Sequence, residues 1–185
     1  MLDRRHQEHQ LLQAPRDDGA KLRPAELGGG PNGAAIGPDG YCYVCNNGGF
    51  EWIERNGKLY PGEEPVDYTS GRIERVNIET GEYETLYSEC DGRPLRGPND
   101  IVFDETGGFW FTDHGKSRER ERDRTGVFYA APDGSAIEEV IFPMEGPTRI
   151  GHSPEESEVY DAETVAGGAW GDRSREASKP DETPR

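Results

Sequence analysis

One turn-and-hairpin plan recurs three times along this chain, and it constrains the fold more than any other feature. It appears as GPNGAAIGPDGYCYVCN at 30–46, GPNDIVFDETGGFWFTD at 97–113 and GPTRIGHSPEESEVYDAE at 146–163. Each copy begins Gly-Pro, adds one or two polar residues, and continues into a short apolar strand. It then turns at PDG (38–40), ETGG (105–108) or PEES (154–157) and returns as a second strand. Those turns have the Pro, Gly, Asp and Ser content of tight hairpins. GRIERVNIETGEYETLY (71–87) and TGVFYAAPDGSAIEEVIF (125–142) read as further hairpins between the copies. The unit is therefore four strands, and four-stranded units in tandem are the pattern of a β-propeller, at roughly 40–50 residues per blade. A β-sandwich shares the short strands but has no reason to repeat one turn once per four strands. The copies start 67 and 49 residues apart. NNGGFEWIERNGKLYPGEEPVDYTS (46–70) accounts for the longer spacing and reads as an extended loop over one face.

Composition agrees with an all-β chain. Of 185 residues only 31% are hydrophobic, while 25 are Gly and 14 Pro, a balance that suits short strands and tight turns better than helices. No apolar run is long enough to span a bilayer, and MLDRRHQEHQLLQAPRDDG has no apolar signal core, so a cytoplasmic location is expected. The formal charge is −16, with 17 Arg and only 4 Lys. Such a chain repels phosphates and anionic headgroups, which argues against nucleic acid and membrane as partners. The acidity with scarce Lys fits either a high-salt habitat, where repulsion between acidic groups is screened, or an ordinary acidic enzyme from a GC-rich genome that favours Arg codons. Cys42 and Cys45 form a C-x-x-C, but on an alternating strand positions i and i+3 face opposite ways. Without a second pair to complete a tetrahedral site, Cys42, Cys45 and Cys90 are expected to be buried strand cysteines.

Asn99 and Asp100 stand behind the best-formed Gly-Pro turn, just before the apolar run Ile101-Val102-Phe103. From the residues alone they are either a turn-former with a solvated neighbour, or oxygen ligands for a metal or substrate. The GPN lead-ins, the GRIERVNIETG hairpin and GPTRIGHSPEESEVYDAET together resemble the senescence marker protein (regucalcin), gluconolactonase and luciferin-regenerating enzyme family. The resemblance covers about residues 28–170 and is strongest over GRPLRGPNDIVFDETGGFWFTDHGK (92–116). It implies a six-bladed propeller, a lactone substrate, and one divalent metal ion (Ca²⁺, Mg²⁺, Mn²⁺ or Zn²⁺) at the top of a central tunnel. In a propeller, the link between blades dives toward the axis, so residues just before each inner strand converge at the tunnel mouth. There the resemblance makes Asn99 a metal ligand and Asp100 a substrate contact. Asn32, at the equivalent lead-in, is a second substrate-binding candidate beside its reading as a turn asparagine. Thr148 occupies the third metal position, where the family pattern has Asn; its hydroxyl is a weaker ligand, and Arg149 adds positive charge.

Two further ligands that the resemblance calls for, an early Glu and a later-blade Asp, have no counterpart. Asp17, Asp18 and Glu26 lack the turn context, and Asp172 and Asp181 have nothing to fix them. Residues 1–27 read as a disordered or remnant segment, 28–170 as the propeller region and 171–185 as a disordered tail. At roughly 45 residues per blade the matched region makes an incomplete arc of about three blades, a fragment unless another chain completes it. His152 and Asp161 interrupt the third copy with polar groups at expected apolar positions, so that strand is distorted, solvent-facing or incomplete. Phe109-Trp110-Phe111 reads as packing between blades, Asp113-His114 as a strand-end turn, and SRERERDRT (117–125) as a solvated loop. His6 and His9 give no support for a metal role. The expected activity is metal-dependent hydrolysis of sugar lactones or related esters, impaired by the missing ligands. The alternatives are a non-catalytic propeller fragment or binding module, and a related propeller with strictosidine synthase-like chemistry.

Overall fold

A computed structural model describes residues 25–165 and 167–173, and the remaining parts of the expected terminal segments lie outside that range. The described residues are all-β, without helices. The strands, in chain order, are β1 (Pro31–Ile36), β2 (Cys42–Asn46), β3 (Trp52–Arg55), β4 (Lys58–Pro61), β5 (Arg72–Val76) and β6 (Tyr83–Tyr87). They continue with β7 (Glu89–Cys90), β8 (Arg93–Pro94), β9 (Pro98–Phe103), β10 (Phe109–Asp113), β11 (Thr125–Ala130) and β12 (Ile137–Met144). The last are β13 (Pro147–His152), β14 (Glu158–Glu163) and β15 (Ala169–Arg173).

Three antiparallel meanders form the blades: β1-β2-β5-β6, β9-β10-β11-β12 and β13-β14-β15. The inner strands stand side by side, with β9 in contact with β1 on one flank and β13 on the other. This is an arc of three propeller blades. Because the middle blade is covered on both faces, β10 is buried at all five positions. Alternation sends Phe109 and Phe111 toward the first blade, where they join Tyr43, Ile73, Tyr87 and Phe128. It sends Trp110 the other way, to Val127, Met144 and Val159 against the third blade. The aromatic run is thus packing between blades. β2 is divided likewise, Cys45 lying in the first cluster and Cys42 in another with Val44 and Val76. All three cysteines are free and buried.

Several local expectations change. Packing reaches upstream of Gly28, since Ala25 and Leu27 are buried against the first blade. Downstream, the chain stays regular past residue 170: β15 pairs along β14 from Ala169 to Arg173, because edge pairing uses backbone groups that Gly and Asp also carry. The insertion at 46–70 is not only loop. Its β3–β4 hairpin turns at Asn56-Gly57, both with positive φ (53° and 71°), the conformation for which Asn-Gly is suited. The third copy is fully formed, with Ile150 opposite Asp161 and His152 opposite Val159. Asp161 is buried there, and the His152 ring meets Trp110 edge-on at 6.4 Å.

Candidate functional site

Each inner strand carries one surplus residue directly after its lead-in proline. Pro31 pairs with Asn46 and Ala34 with Val44, so three steps on β1 span two on β2. Pro98–Ile101 likewise spans Asp113–Phe111, and Pro147–Arg149 spans Glu163–Ala162. These are β-bulges at Asn32-Gly33, Asn99-Asp100 and Thr148. A bulge kinks its strand and re-aims the side chains it carries. Asn99 and Asp100 therefore lie within β9 rather than in a turn ahead of it.

Strands β1 and β13 both reach Asp100, through Gly33 and Ile150. A Cβ on Gly33 would lie 2.4 Å from the Asn99 carbonyl oxygen and 2.7 Å from the Asp100 Cα, so only glycine allows β1 this close. From the other flank, the Ile150 amide donates to Asp100 Oδ2 at 3.3 Å. Asp100 Oδ1 accepts from the Ile101 amide at 3.1 Å. Asn99 is half-buried, and its side-chain amide has no hydrogen bond among the described residues. True turn asparagines in this chain behave differently: Asn46, Asn47 and Asn77 each accept an amide two residues ahead. Asn32 is exposed and likewise makes no such bond among the described residues. Thr148 is engaged, its hydroxyl lying 3.1 Å from the Ala162 carbonyl and 2.8 Å from the Thr164 hydroxyl. Arg149 is exposed.

The second strand of each blade anchors the lead-in beside it. Asp113 Oδ1 accepts from the amides of Gly97 and Gly115 at 2.7 and 2.8 Å, and Oδ2 from Arg96 at 2.7 Å. Asn46 Oδ1 does the same for Gly30 and Gly48, and Glu163 Oε1 for Glu145. Burial pushes the Asp113 carboxyl up, and its three amide donors pull it back. With those oxygens taken, Asp113 forms no acid–base pair with His114, whose Nε2 lies 3.0 Å from Arg122 Nη2.

Lys116 carries no local signal in the sequence. It is 1% exposed, and its ammonium donates to the Gly49 carbonyl. It also lies 4.1 Å from the Phe50 ring centroid and 5.3 Å from that of Tyr68. Arg118 adds an ion pair to Glu64 at 2.7 Å. Together they fasten the insertion to the segment after β10, so residues 117–125 are only partly the solvated loop expected. Burial pushes the Lys116 pKa down to about 8, although Asp113, Glu64 and Asp123 favour its charge. The folded chain thus holds this proton less well than the unfolded one. The Lys116 contribution to stability is fully present above its ordinary value of 10.5 and is lost as pH falls through about 8. The stability of the wild type relative to Lys116→Met should therefore rise across that window by up to about 3 kcal/mol. Urea midpoints of both proteins at several pH values test this, and a flat difference would refute it.

Among the described residues no group of three or more His, Cys, Asp or Glu is placed to hold a metal ion. The oxygens at the lead-ins are one carboxylate, two amides and an engaged hydroxyl. No helix among the described residues is long and apolar enough to cross a membrane.

Comparison with known proteins agrees with this architecture. The family model for the SMP-30/Gluconolactonase/LRE-like region matches residues 2–176. A gluconolactonase of Zymomonas mobilis subsp. mobilis is 25% identical over 138 residues, 71% of this chain and 33% of the relative. Among solved structures, the gluconolactonase from Xanthomonas campestris superposes with a TM-score of 0.59 at 19% identity, covering 83% of this chain and 48% of that one. A structural-genomics protein assigned as a gluconolactonase gives 0.58 at 22% identity over 85% of this chain and 49% of its own. A virginiamycin B lyase from Staphylococcus aureus, solved with quinupristin, gives 0.52 at 16% identity, covering 94% and 50%. The chain thus spans a third to a half of the length of these relatives.

Proposed function

The chain belongs to the SMP-30/gluconolactonase/LRE-like family, and from that premise we propose that its inner-strand lead-ins form part of a lactone-hydrolysing site. The observation that carries this reading is the bulge at Asn99-Asp100. It holds an amide with no protein partner among the described residues beside a carboxylate flanked by both neighbouring blades. The substrate class rests on the relatives, which are gluconolactonases.

The Asn99 amide oxygen and Asp100 carboxylate suit a hard divalent cation in kind. Asn32 stands at the matching bulge. Thr148 has only a lone pair to offer, since its hydroxyl already bonds within the third blade. A Ca²⁺, Mg²⁺, Mn²⁺ or Zn²⁺ ion bound there would polarise a lactone carbonyl and acidify a water. Asp100 would orient the substrate by accepting from its hydroxyl groups, and Asn99, next to it on the same bulge, would supply its amide oxygen to the ion. The lead-ins supply a partial donor set, so further ligands must come from outside the described residues or from a second chain.

A metal titration followed by thermal unfolding tests the reading. At least one of Ca²⁺, Mg²⁺, Mn²⁺ and Zn²⁺ should raise Tm with concentration, and Asn99→Ala should weaken that binding at least tenfold. Gluconolactone hydrolysis should depend on the same ion. If no ion shifts Tm and no hydrolysis is detected, the lactonase reading falls and the alternative, a propeller segment without catalysis, takes its place.

A further inference from the structure

A cleft of about 510 Å³ opens where the β7–β8 hairpin faces β12 and the residues that enter β11. Arg93, Arg96, Arg122 and Arg124 all line it, in a chain whose formal charge is −16. Three carboxylates line it too, but two have their oxygens occupied. Asp113 accepts the three amides described above. Asp123 takes Arg118 at 2.9 Å and the Lys116 amide at 3.1 Å.

The guanidiniums are under-used by comparison. Arg93 approaches Glu139 only to 3.7 Å and Arg96 approaches Asp123 only to 4.0 Å, both beyond hydrogen-bond distance. Arg124 has a single ion pair among the described residues, to Glu145 at 3.3 Å. Arg122 is held in place by Ser117 Oγ at 2.8 Å and by His114, and its buried Nε has no acceptor among the described residues. Arg122 is therefore in place before any ligand arrives, and Asp113 fixes the backbone from which the Arg96 side chain extends. Phe128 and Phe142 supply an apolar wall.

Guanidinium groups pair with planar or tetrahedral oxyanions through two parallel N–H donors. We propose that this cleft is a second ligand site, taking a small organic anion through a carboxylate or phosphate group. None of the lining residues belongs to the inner-strand lead-ins, so the proposal does not depend on the lactone reading.

Calorimetric titration of the full chain with inorganic phosphate and with D-gluconate, at fixed ionic strength, tests the proposal. At least one probe should bind saturably, and Arg93→Ala/Arg124→Ala should weaken that binding at least tenfold. These side chains are 67% and 65% exposed, so the double variant keeps the fold. Glu139→Gln, which removes the carboxylate facing Arg93, should tighten binding severalfold. Asn99→Ala should leave it unchanged. Saturation by phosphate alone assigns a phosphate-bearing ligand, and by gluconate alone a carboxylate. No saturable binding of either probe, equal affinity in the double arginine variant, or loss in Asn99→Ala would each overturn the proposal.

Discussion

Phe109→Ala is expected to lower folding stability by about 3–5 kcal/mol, the range for removing a large aromatic from a closed core. Phe109 is fully buried and sits where two blades meet. Its ring lies 5.5 Å from Tyr43, 5.4 Å from Phe103, 6.3 Å from Tyr87 and 6.1 Å from Phe111. Tyr43 and Tyr87 cannot collapse into the gap, because their hydroxyls are tied to the Pro132 and Ala131 carbonyls at 3.0 and 2.6 Å. A cavity between blades therefore persists. Against a typical total of about 5–15 kcal/mol, the loss consumes much of the stability. Urea denaturation should show a midpoint far below the wild type, and a loss under about 1 kcal/mol would show that the blades do not share this core.

Asp113→Ala should be nearly as damaging, for a different reason. It removes no large apolar volume but leaves the amides of Arg96, Gly97 and Gly115 without an acceptor in a buried setting. Each orphaned donor costs about 1–3 kcal/mol. Asp113→Asn provides an internal comparison, because Asn46 occupies the equivalent place in the first blade. There Oδ1 accepts two amides, while Nδ2 donates to the Gly28 carbonyl and to Glu74 Oε2 at 2.8 and 2.9 Å. At position 113 the second atom instead faces the Arg96 amide, so an amide nitrogen would oppose a donor. The loss should be about 1–3 kcal/mol for Asn, the cost of one unmet donor, and clearly larger for Ala. Equal losses for the two variants would mean that Oδ1 and its two glycine amides carry no weight.

The blade plan was legible because turns are local. PDG at 38–40 and ETGG at 105–108 mark hairpins whatever surrounds them, and three similar lead-ins show where units begin. The β3–β4 hairpin was less visible, since Trp52–Arg55 and Lys58–Pro61 are largely exposed and lack alternation. Asn56-Gly57 was the signal available. The bulges left a fainter trace: a polar pair after Pro hides the slip of one residue, which shows only against the partner strand. Lys116 could not be found locally at all, because its partners Gly49, Phe50 and Tyr68 lie 48–67 residues away. Asn99 reads as a ligand or a turn residue, and its side chain makes none of the local bonds that Asn46, Asn47 and Asn77 make among the described residues.

The surplus residue in each inner strand separates two kinds of inheritance. Ladder pairing resumes on both sides of it, so blade geometry does not depend on which side chain occupies that position. Asn32, Asn99 and Thr148 illustrate this, an amide in two blades and a hydroxyl in the third on the same backbone slip. A propeller built this way can exchange the chemistry at its axis one position at a time while its blades remain folded.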